Sequence, residues 1–152
     1  MPEQHPADGP SSVSAPAMTE TTSASLLALT MGDPCGIGPE TIARAVAARA
    51  TGAALVVGDV AVMRRAAAHC GLMLPVVRLD APGDALLAPP DCIAVWQPPG
   101  LQDVGRADLV DLPMGRVQAD AGRAAALCIE AAAALALRGE VAAIVTAPIA
   151  QW

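Results

Sequence analysis

Short apolar runs alternate with longer stretches of helical character from Ser25 to the end of the chain. Apolar runs of this length, bounded by glycine, proline and polar residues, predict buried strands. The five runs are 26–30, 54–57, 74–79, 92–96 and 141–145. Pro75 puts the third run near an edge of the sheet, because proline cannot donate a hydrogen bond to a neighbouring strand.

The remaining regular segments predict three helices, which are 39–50, 60–70 and 119–138. Pro39 suits the first turn of a helix, Asp59 suits an N-cap and Gly71 suits a helix end. The third helix consists almost entirely of alanine and leucine, so we expect it to be packed on more than one face. Two loops complete the chain: a proline-rich one at 80–91 and a long irregular one at 98–117.

Strand–helix alternation with short connections predicts an α/β fold with a mainly parallel sheet, right-handed crossovers and helices on both faces. Residues 1–24 are rich in Pro, Ser, Ala and Thr and predict a disordered tail, with Met18 as an alternative start. Residues 25–152 predict one α/β domain. We expect this domain to be incomplete, because nothing follows the buried strand at 141–145 to cover it.

Composition excludes several classes of function. The net charge is −6 and all nine basic residues are arginines that form no stripe, which argues against nucleic-acid binding. No apolar run is long enough to span a membrane, and the start lacks the pattern of a secretory signal. The four cysteines lie far apart, as expected of reduced thiols in a cytoplasmic protein, and two histidines are too few for a histidine-based metal site.

The first candidate for chemistry is a glycine-rich segment at 31–40, MGDPCGIGPE. Gly32, Gly36 and Gly38 let a ligand approach the main chain, and the helix start that follows favours an anion. Asp33 can accept a hydrogen bond from a hydroxyl or an ammonium group. The segment is neither a dinucleotide fingerprint, since Thr41 occupies the third glycine position, nor a Walker loop. The alternative interpretation is a tight strand-to-helix turn without a ligand.

The second candidate is 146–148, Thr-Ala-Pro, directly after the last predicted strand. Ligands of open parallel sheets lie outside the carboxyl ends of the strands, so both candidates are expected to line one crevice. The alternative is a strand end terminated by proline. The adjacent pair Arg64 and Arg65 is interpreted as a solvated helix face rather than an anion site.

Three segments in order resemble the 4-hydroxythreonine-4-phosphate dehydrogenase family, and they extend over residues 26–152. The first is LALTMGDPCGIGPETIARAV, similar to the family's opening strand and G-D-P-x-G-I-G-P-E motif. The second, MGRVQADAGRAAALCIEAA, resembles the family's G-R-A segment before a long helix. The third, VAAIVTAPI, resembles its strand ending in T-A-P-I.

The resemblance implies the first part of a two-lobed, homodimeric enzyme similar in fold to isocitrate and isopropylmalate dehydrogenases. Such enzymes oxidise a secondary alcohol with NAD or NADP and a divalent metal, and the keto acid formed then loses carbon dioxide. The founding reaction belongs to pyridoxine and pyridoxal phosphate biosynthesis, while relatives act on phosphothreonate or on dihydrodiol carboxylates.

The resemblance also carries residues over to the substrate and cofactor cleft, namely Gly32, Asp33, Gly36, Gly38, Glu40, Thr146 and Pro148. Metal ligands and catalytic residues of the family lie downstream, so none is assigned here. Where the family often has Asn-Lys after T-A-P-I, this chain has Ala150 and Gln151, which puts a phosphorylated substrate in doubt. A paralogue with another substrate and a non-catalytic anion-binding module therefore remain as alternatives.

Overall fold

The computed structural model describes Gly9 and residues 25–149, which contain five strands and three α-helices. The strands are β1 Leu27–Thr30, β2 Ala54–Val57, β3 Val76–Leu79, β4 Ile93–Trp96 and β5 Ala143–Thr146. The helices are α1 Gly38–Ala47, α2 Val60–His69 and α3 Ala119–Leu137. Each predicted strand and helix is thereby confirmed in type and approximate position. The predictions for the remaining residues of 1–24 and for 150–152 fall outside the described part.

The two predicted loops contain short 3-10 helices, at Pro82–Leu86, Leu101–Asp103 and Leu109–Asp111. None of the helices in the described part is long and apolar enough to cross a membrane. Asp59 caps α2 as predicted, since its Oδ1 accepts a hydrogen bond of 2.8 Å from the Val62 N–H. Gly71 adopts a left-handed conformation with φ of 67° just after α2, as expected of a glycine at a helix end.

All neighbouring strands are parallel, in the order β3-β4-β2-β1-β5. β3 lies at an edge, as Pro75 predicts. The first two crossovers run from β1 towards β3, whereas α3 carries the chain from β4 back past β2 and β1 to β5. Because such crossovers are right-handed, this reversal places α3 on the face opposite α1 and α2. The prediction of helices on both faces is confirmed, with α1 packed against α2 and α3 packed against β1 and β5.

β5 differs from the prediction of a buried strand. Ala143, Val145 and Thr146 are exposed and only Ile144 is half-buried, because β5 is the second edge of the described sheet and pairs with β1 alone. An apolar run fits an edge strand and a central strand equally well, so the sequence pattern could not separate them.

α3 is also packed differently from the prediction. Its fully buried residues form one stripe, which consists of Ala121, Ala124, Ala125, Cys128, Ala132 and Leu135. Arg123, Ala126, Glu130 and Leu137 on the other side are exposed. A run of alanines resembles a helix buried all round, yet a single methyl group costs little when it faces water. The prediction of packing on more than one face is therefore wrong.

The Cys128 thiol lies on the buried stripe of α3, and we therefore expect the chain to lose stability at alkaline pH. Burial, with a smaller contribution from the Asp59 carboxylate, raises the pKa of Cys128 from 9.0 to about 12. Above pH 9 the unfolded chain releases this proton while the folded chain retains it. The contribution of this thiol to the free energy of unfolding is thus fully present below pH 9. It is lost at about 1.4 kcal/mol per pH unit as the pH rises towards 12.

Urea unfolding at a series of alkaline pH values measures this slope. Cys128→Ala should remove a large part of it, whereas Cys70→Ala, at a partly exposed position, should leave it unchanged. An equal slope in both variants would contradict the assignment to Cys128.

Candidate functional site

The glycine-rich turn after β1 and the Thr-Ala-Pro segment after β5 are in direct contact. β1 and β5 are parallel neighbours with Thr30 opposite Thr146, so their carboxyl ends lie side by side. The Asp33 N–H donates to the Pro148 carbonyl at 3.1 Å, and the Ala147 N–H donates to the Thr30 carbonyl at 3.2 Å. The two segments that the sequence predicts to be functional therefore form one continuous surface.

This contact explains two of the three glycines of the turn. A Cβ on Gly32, whose φ is 73°, would lie 2.5 Å from the Pro148 carbonyl oxygen. A Cβ on Gly38 would lie 2.6 Å from the Met31 carbonyl oxygen and 3.2 Å from the Ala147 Cβ. The space left by the missing side chains is filled by the chain itself. Gly36 differs, because its Cβ would meet Asp33 at an ordinary distance of 3.4 Å, so packing does not require a glycine there.

Asp33 occupies the boundary between this turn and an open groove of about 780 Å³. Asp33 is 9 % exposed, and its Oδ1 accepts a hydrogen bond of 2.8 Å from the Cys35 N–H. This bond fixes the turn and leaves Oδ2 as the oxygen available to a ligand. α3 and the segment before it form the opposite wall, and Ile149 contributes from the β5 side. The wall residues from α3 and its approach include Val117, Gln118, Gly122, Arg123 and Ile129.

The other predicted cleft residues do not line this groove. Gly36 and Glu40 line a separate cavity of about 40 Å³, where Glu40 Oε1 is 3.9 Å from His69 Nε2. Thr146 and Pro148 are exposed beside the groove without lining it. The structure thus brings Asp33 and the Thr-Ala-Pro segment to the groove edge and separates Glu40 from them.

Reasoning from the sequence missed Gln118, Arg123 and Ile129 as groove residues. The signal for them was present, since Arg123 belongs to the G-R-A segment that carries the second resemblance. Arg123 forms an ion pair with Asp120 one turn earlier in α3. The groove therefore combines charged groups at both rims with apolar side chains between them, as small-molecule sites do.

The interpretation of Arg64 and Arg65 as a solvated pair is wrong for Arg65. Arg64 is exposed, but Arg65 is half-buried and its guanidinium donates to the carbonyls of Pro34 and Val110. Adjacent helix positions point about 100° apart, and the second of them faces the loops above the sheet.

Comparison with known proteins decides the family. The family model described as pyridoxal phosphate biosynthetic protein PdxA matches residues 50–152. The chain belongs to the PdxA family. The family resemblance noted in the sequence is thereby confirmed.

Curated members of the PdxA family that match this chain extend well beyond it. D-threonate 4-phosphate dehydrogenase of Pectobacterium atrosepticum is 45% identical over 129 residues, covering 82% of this chain and 37% of the relative. 4-Hydroxythreonine-4-phosphate dehydrogenase of Trichlorobacter lovleyi is 37% identical over 128 residues, covering 82% and 36%. The chain thus spans little more than a third of the length of these relatives.

Solved structures of PdxA-type proteins share the fold. The 4-hydroxythreonine-4-phosphate dehydrogenase of Klebsiella pneumoniae has a TM-score of 0.69 at 39% identity, covering 83% of this chain and 38% of that one. The Burkholderia phymatum enzyme has a TM-score of 0.68 at 31% identity, covering 83% and 37%. The predicted fold class, an α/β fold like that of isocitrate and isopropylmalate dehydrogenases, is confirmed.

Proposed function

We propose that this chain forms the N-terminal portion of an NAD- or NADP-dependent dehydrogenase of the PdxA family. The proposed reaction oxidises a phosphorylated 3-hydroxy acid of the 4-phosphohydroxy-threonine type, with decarboxylation, in pyridoxine and pyridoxal phosphate biosynthesis. The observation that carries the proposal is the groove bounded by Asp33, α3 and Ile149, because it joins all three family segments at the carboxyl edge of the sheet. By the same resemblance, the complete protein is proposed to be a cytoplasmic homodimer.

The groove residues supply binding and orientation. Asp33 Oδ2 accepts a hydrogen bond from a substrate hydroxyl or ammonium group, and the Arg123 guanidinium at the opposite rim attracts a carboxylate or phosphate. Val117, Ile129 and Ile149 supply apolar surface for the ligand. The volume of about 780 Å³ lies within the range of small-molecule sites.

The divalent metal of the family does not fit the described residues. No group of three or more His, Cys, Asp and Glu side chains able to hold a metal ion occurs within 25–149. One oxygen of Asp33 is already engaged by the Cys35 N–H. In this proposal residues 25–149 bind and orient the substrate, and no chemical step is assigned to them.

A second candidate substrate is D-threonate 4-phosphate, favoured by the 45% identity to the Pectobacterium enzyme of that name. The two substrates differ where an ammonium group replaces a hydroxyl, and a carboxylate such as Asp33 accepts a hydrogen bond from either. A dihydrodiol carboxylate is a third candidate of the same reaction class.

The test joins residues 25–152 in frame to the remaining part of the Pectobacterium relative, and compares this chimera with the unmodified relative and with the chain alone. We expect the chimera to reduce NAD or NADP with one of the phosphorylated substrates, and the chain alone to show no reduction. The absorbance of the reduced nicotinamide provides the measurement.

Two results would count against the proposal. A folded chimera that binds phosphorylated acids without oxidising them would favour the non-catalytic anion-binding module. Robust reduction by the chain alone would place catalytic residues within 25–152, where none is assigned.

A further inference from the structure

Arg65 joins three elements that are distant in sequence. From α2, its Nη2 donates to the Pro34 carbonyl at 2.5 Å and its Nη1 donates to the Val110 carbonyl at 2.6 Å. Pro34 belongs to the glycine-rich turn, and Val110 belongs to the last 3-10 helix of the long irregular segment. One half-buried guanidinium therefore holds a turn and a loop that share no regular secondary structure.

The same turn and loop meet at a second point. The Gly115 N–H donates to the Cys35 carbonyl at 2.8 Å, and the Gln118 Nε2 lies 3.9 Å from the Cys35 Sγ. The chain continues from here directly into Val117 and Gln118, which form the wall of the groove opposite Asp33. The position of that wall relative to Asp33 thus depends on how firmly the loop is seated on the turn.

We propose that Arg65 is a positioning residue, which seats the loop 109–118 on the glycine-rich turn and so fixes the width of the groove between Asp33 and Gln118. The role in ligand binding rests on the proposed function, whereas the seating of the loop stands on the contacts alone. Arginine suits this role because its planar guanidinium presents several N–H donors in fixed directions and keeps its charge. A lysine at this position satisfies one carbonyl at a time, and an alanine satisfies neither.

Cys35 provides a reporter within the chain. It lies between the turn and the loop and is 1 % exposed, so we expect its thiol to react only when the loop lifts. Cys92 and Cys128 are buried elsewhere, against the loop before β4 and on α3, so they report on the rest of the fold. Reactivity confined to Cys35 separates loosening of the loop from loss of global stability.

The first experiment measures the alkylation rate of each cysteine by peptide mass spectrometry after exposure of the 152-residue chain to iodoacetamide. We expect Arg65→Ala to accelerate the modification of Cys35 about tenfold or more, the ratio that corresponds to losing hydrogen bonds from a charged donor. Cys92 and Cys128 should keep their rates. Arg64→Ala, which removes the exposed neighbouring arginine, is the matched control and should leave Cys35 protected.

Arg65→Lys extends the comparison and replaces the alanine variant if that variant does not fold. We expect an intermediate rate at Cys35, because one of the two carbonyls regains a donor. The inference is overturned if Cys35 stays as protected in the Arg65 variants as in the original chain. It is equally overturned if Cys35, Cys92 and Cys128 become reactive together, which would indicate a purely structural role.

The second experiment places Arg65→Ala in the chimeric enzyme. A misplaced groove wall should raise KM for the phosphorylated substrate about tenfold and change kcat much less, since ligand binding is weakened before the chemical step. A fall in kcat with unchanged KM would overturn the positioning role. If the chimera lacks activity altogether while the alkylation result holds, the proposed function fails and the seating of the loop by Arg65 stands.

Discussion

Gly32→Ala is expected to lower the free energy of unfolding by about 3 kcal/mol. The new Cβ would lie 2.5 Å from the Pro148 carbonyl oxygen, and the backbone would keep a φ of 73° that side chains disfavour. Left-handed strain and overpacking each contribute about 1–3 kcal/mol. Because the opposing atom belongs to the backbone and not to a flexible side chain, the collision is relieved only if the glycine-rich turn and the Thr-Ala-Pro segment separate. Urea unfolding followed by circular dichroism provides the measurement.

Substitutions at two further glycines distinguish the cost of backbone strain from the cost of a steric collision. Gly52 has a φ of 63° and no atom lies within 4 Å of the point that a Cβ would occupy, so Gly52→Ala should cost only the strain, about 1 kcal/mol. Gly122 lies in α3 with open space around it, and Gly122→Ala should stabilise the chain by about 0.5–1 kcal/mol. If Gly32→Ala costs no more than Gly52→Ala, the contact between the turn and the Thr-Ala-Pro segment is looser than the distances indicate.

Substitutions of Asp33 are expected to separate its structural role from its role in the groove. Asp33→Asn retains an oxygen that accepts from the Cys35 N–H, so stability should change little. Asp33→Ala removes this acceptor and should cost about 1–2 kcal/mol. In the chimeric enzyme both changes remove the carboxylate from the groove, and kcat/KM should fall about tenfold to a hundredfold in each, the range for a hydrogen bond to a charged group.

The comparison of the two Asp33 variants gives the decisive result. Equal loss of activity with unequal loss of stability supports a direct contact between the carboxylate and the ligand. An asparagine variant with full activity would show that Asp33 serves the turn alone. Steady-state kinetics and urea unfolding of the same preparations provide both quantities.

Local physics determined much of this fold in advance. Asp59, Pro39 and Gly71 act within a few residues of themselves, so the start of α1 and both bounds of α2 followed from the sequence to within about one residue, whereas α1 ends three residues before its predicted end. Pro75 excluded β3 from the centre of the sheet through a missing donor. Asp33 could be recognised as a candidate because the short glycine-rich turn around it leaves few other interpretations.

The features that escaped prediction depend on contacts over long sequence distances. The sequence around Val145 does not indicate which strands flank β5. Likewise, the sequence around Arg65 does not indicate that the carbonyls of Pro34 and Val110 lie beside it. The wall of the groove at Gln118 exists only because the irregular segment returns to the first turn. Likewise, the buried stripe of an alanine-rich helix such as α3 cannot be predicted from its sequence until the neighbouring elements are known.

The direct contact between Asp33 and Pro148 has a consequence for the order in which the molecule assembles. The two residues are separated by more than a hundred positions, so forming the contact between them closes a long loop at a cost in conformational entropy. Only the completed sheet offsets this cost. During synthesis the turn emerges first, and the Asp33 N–H cannot reach the Pro148 carbonyl until β5 has been added beside β1. Within residues 25–149 the groove edge is therefore among the last parts to form, and slow docking of β5 would delay it while the other strands and helices of this region are already present.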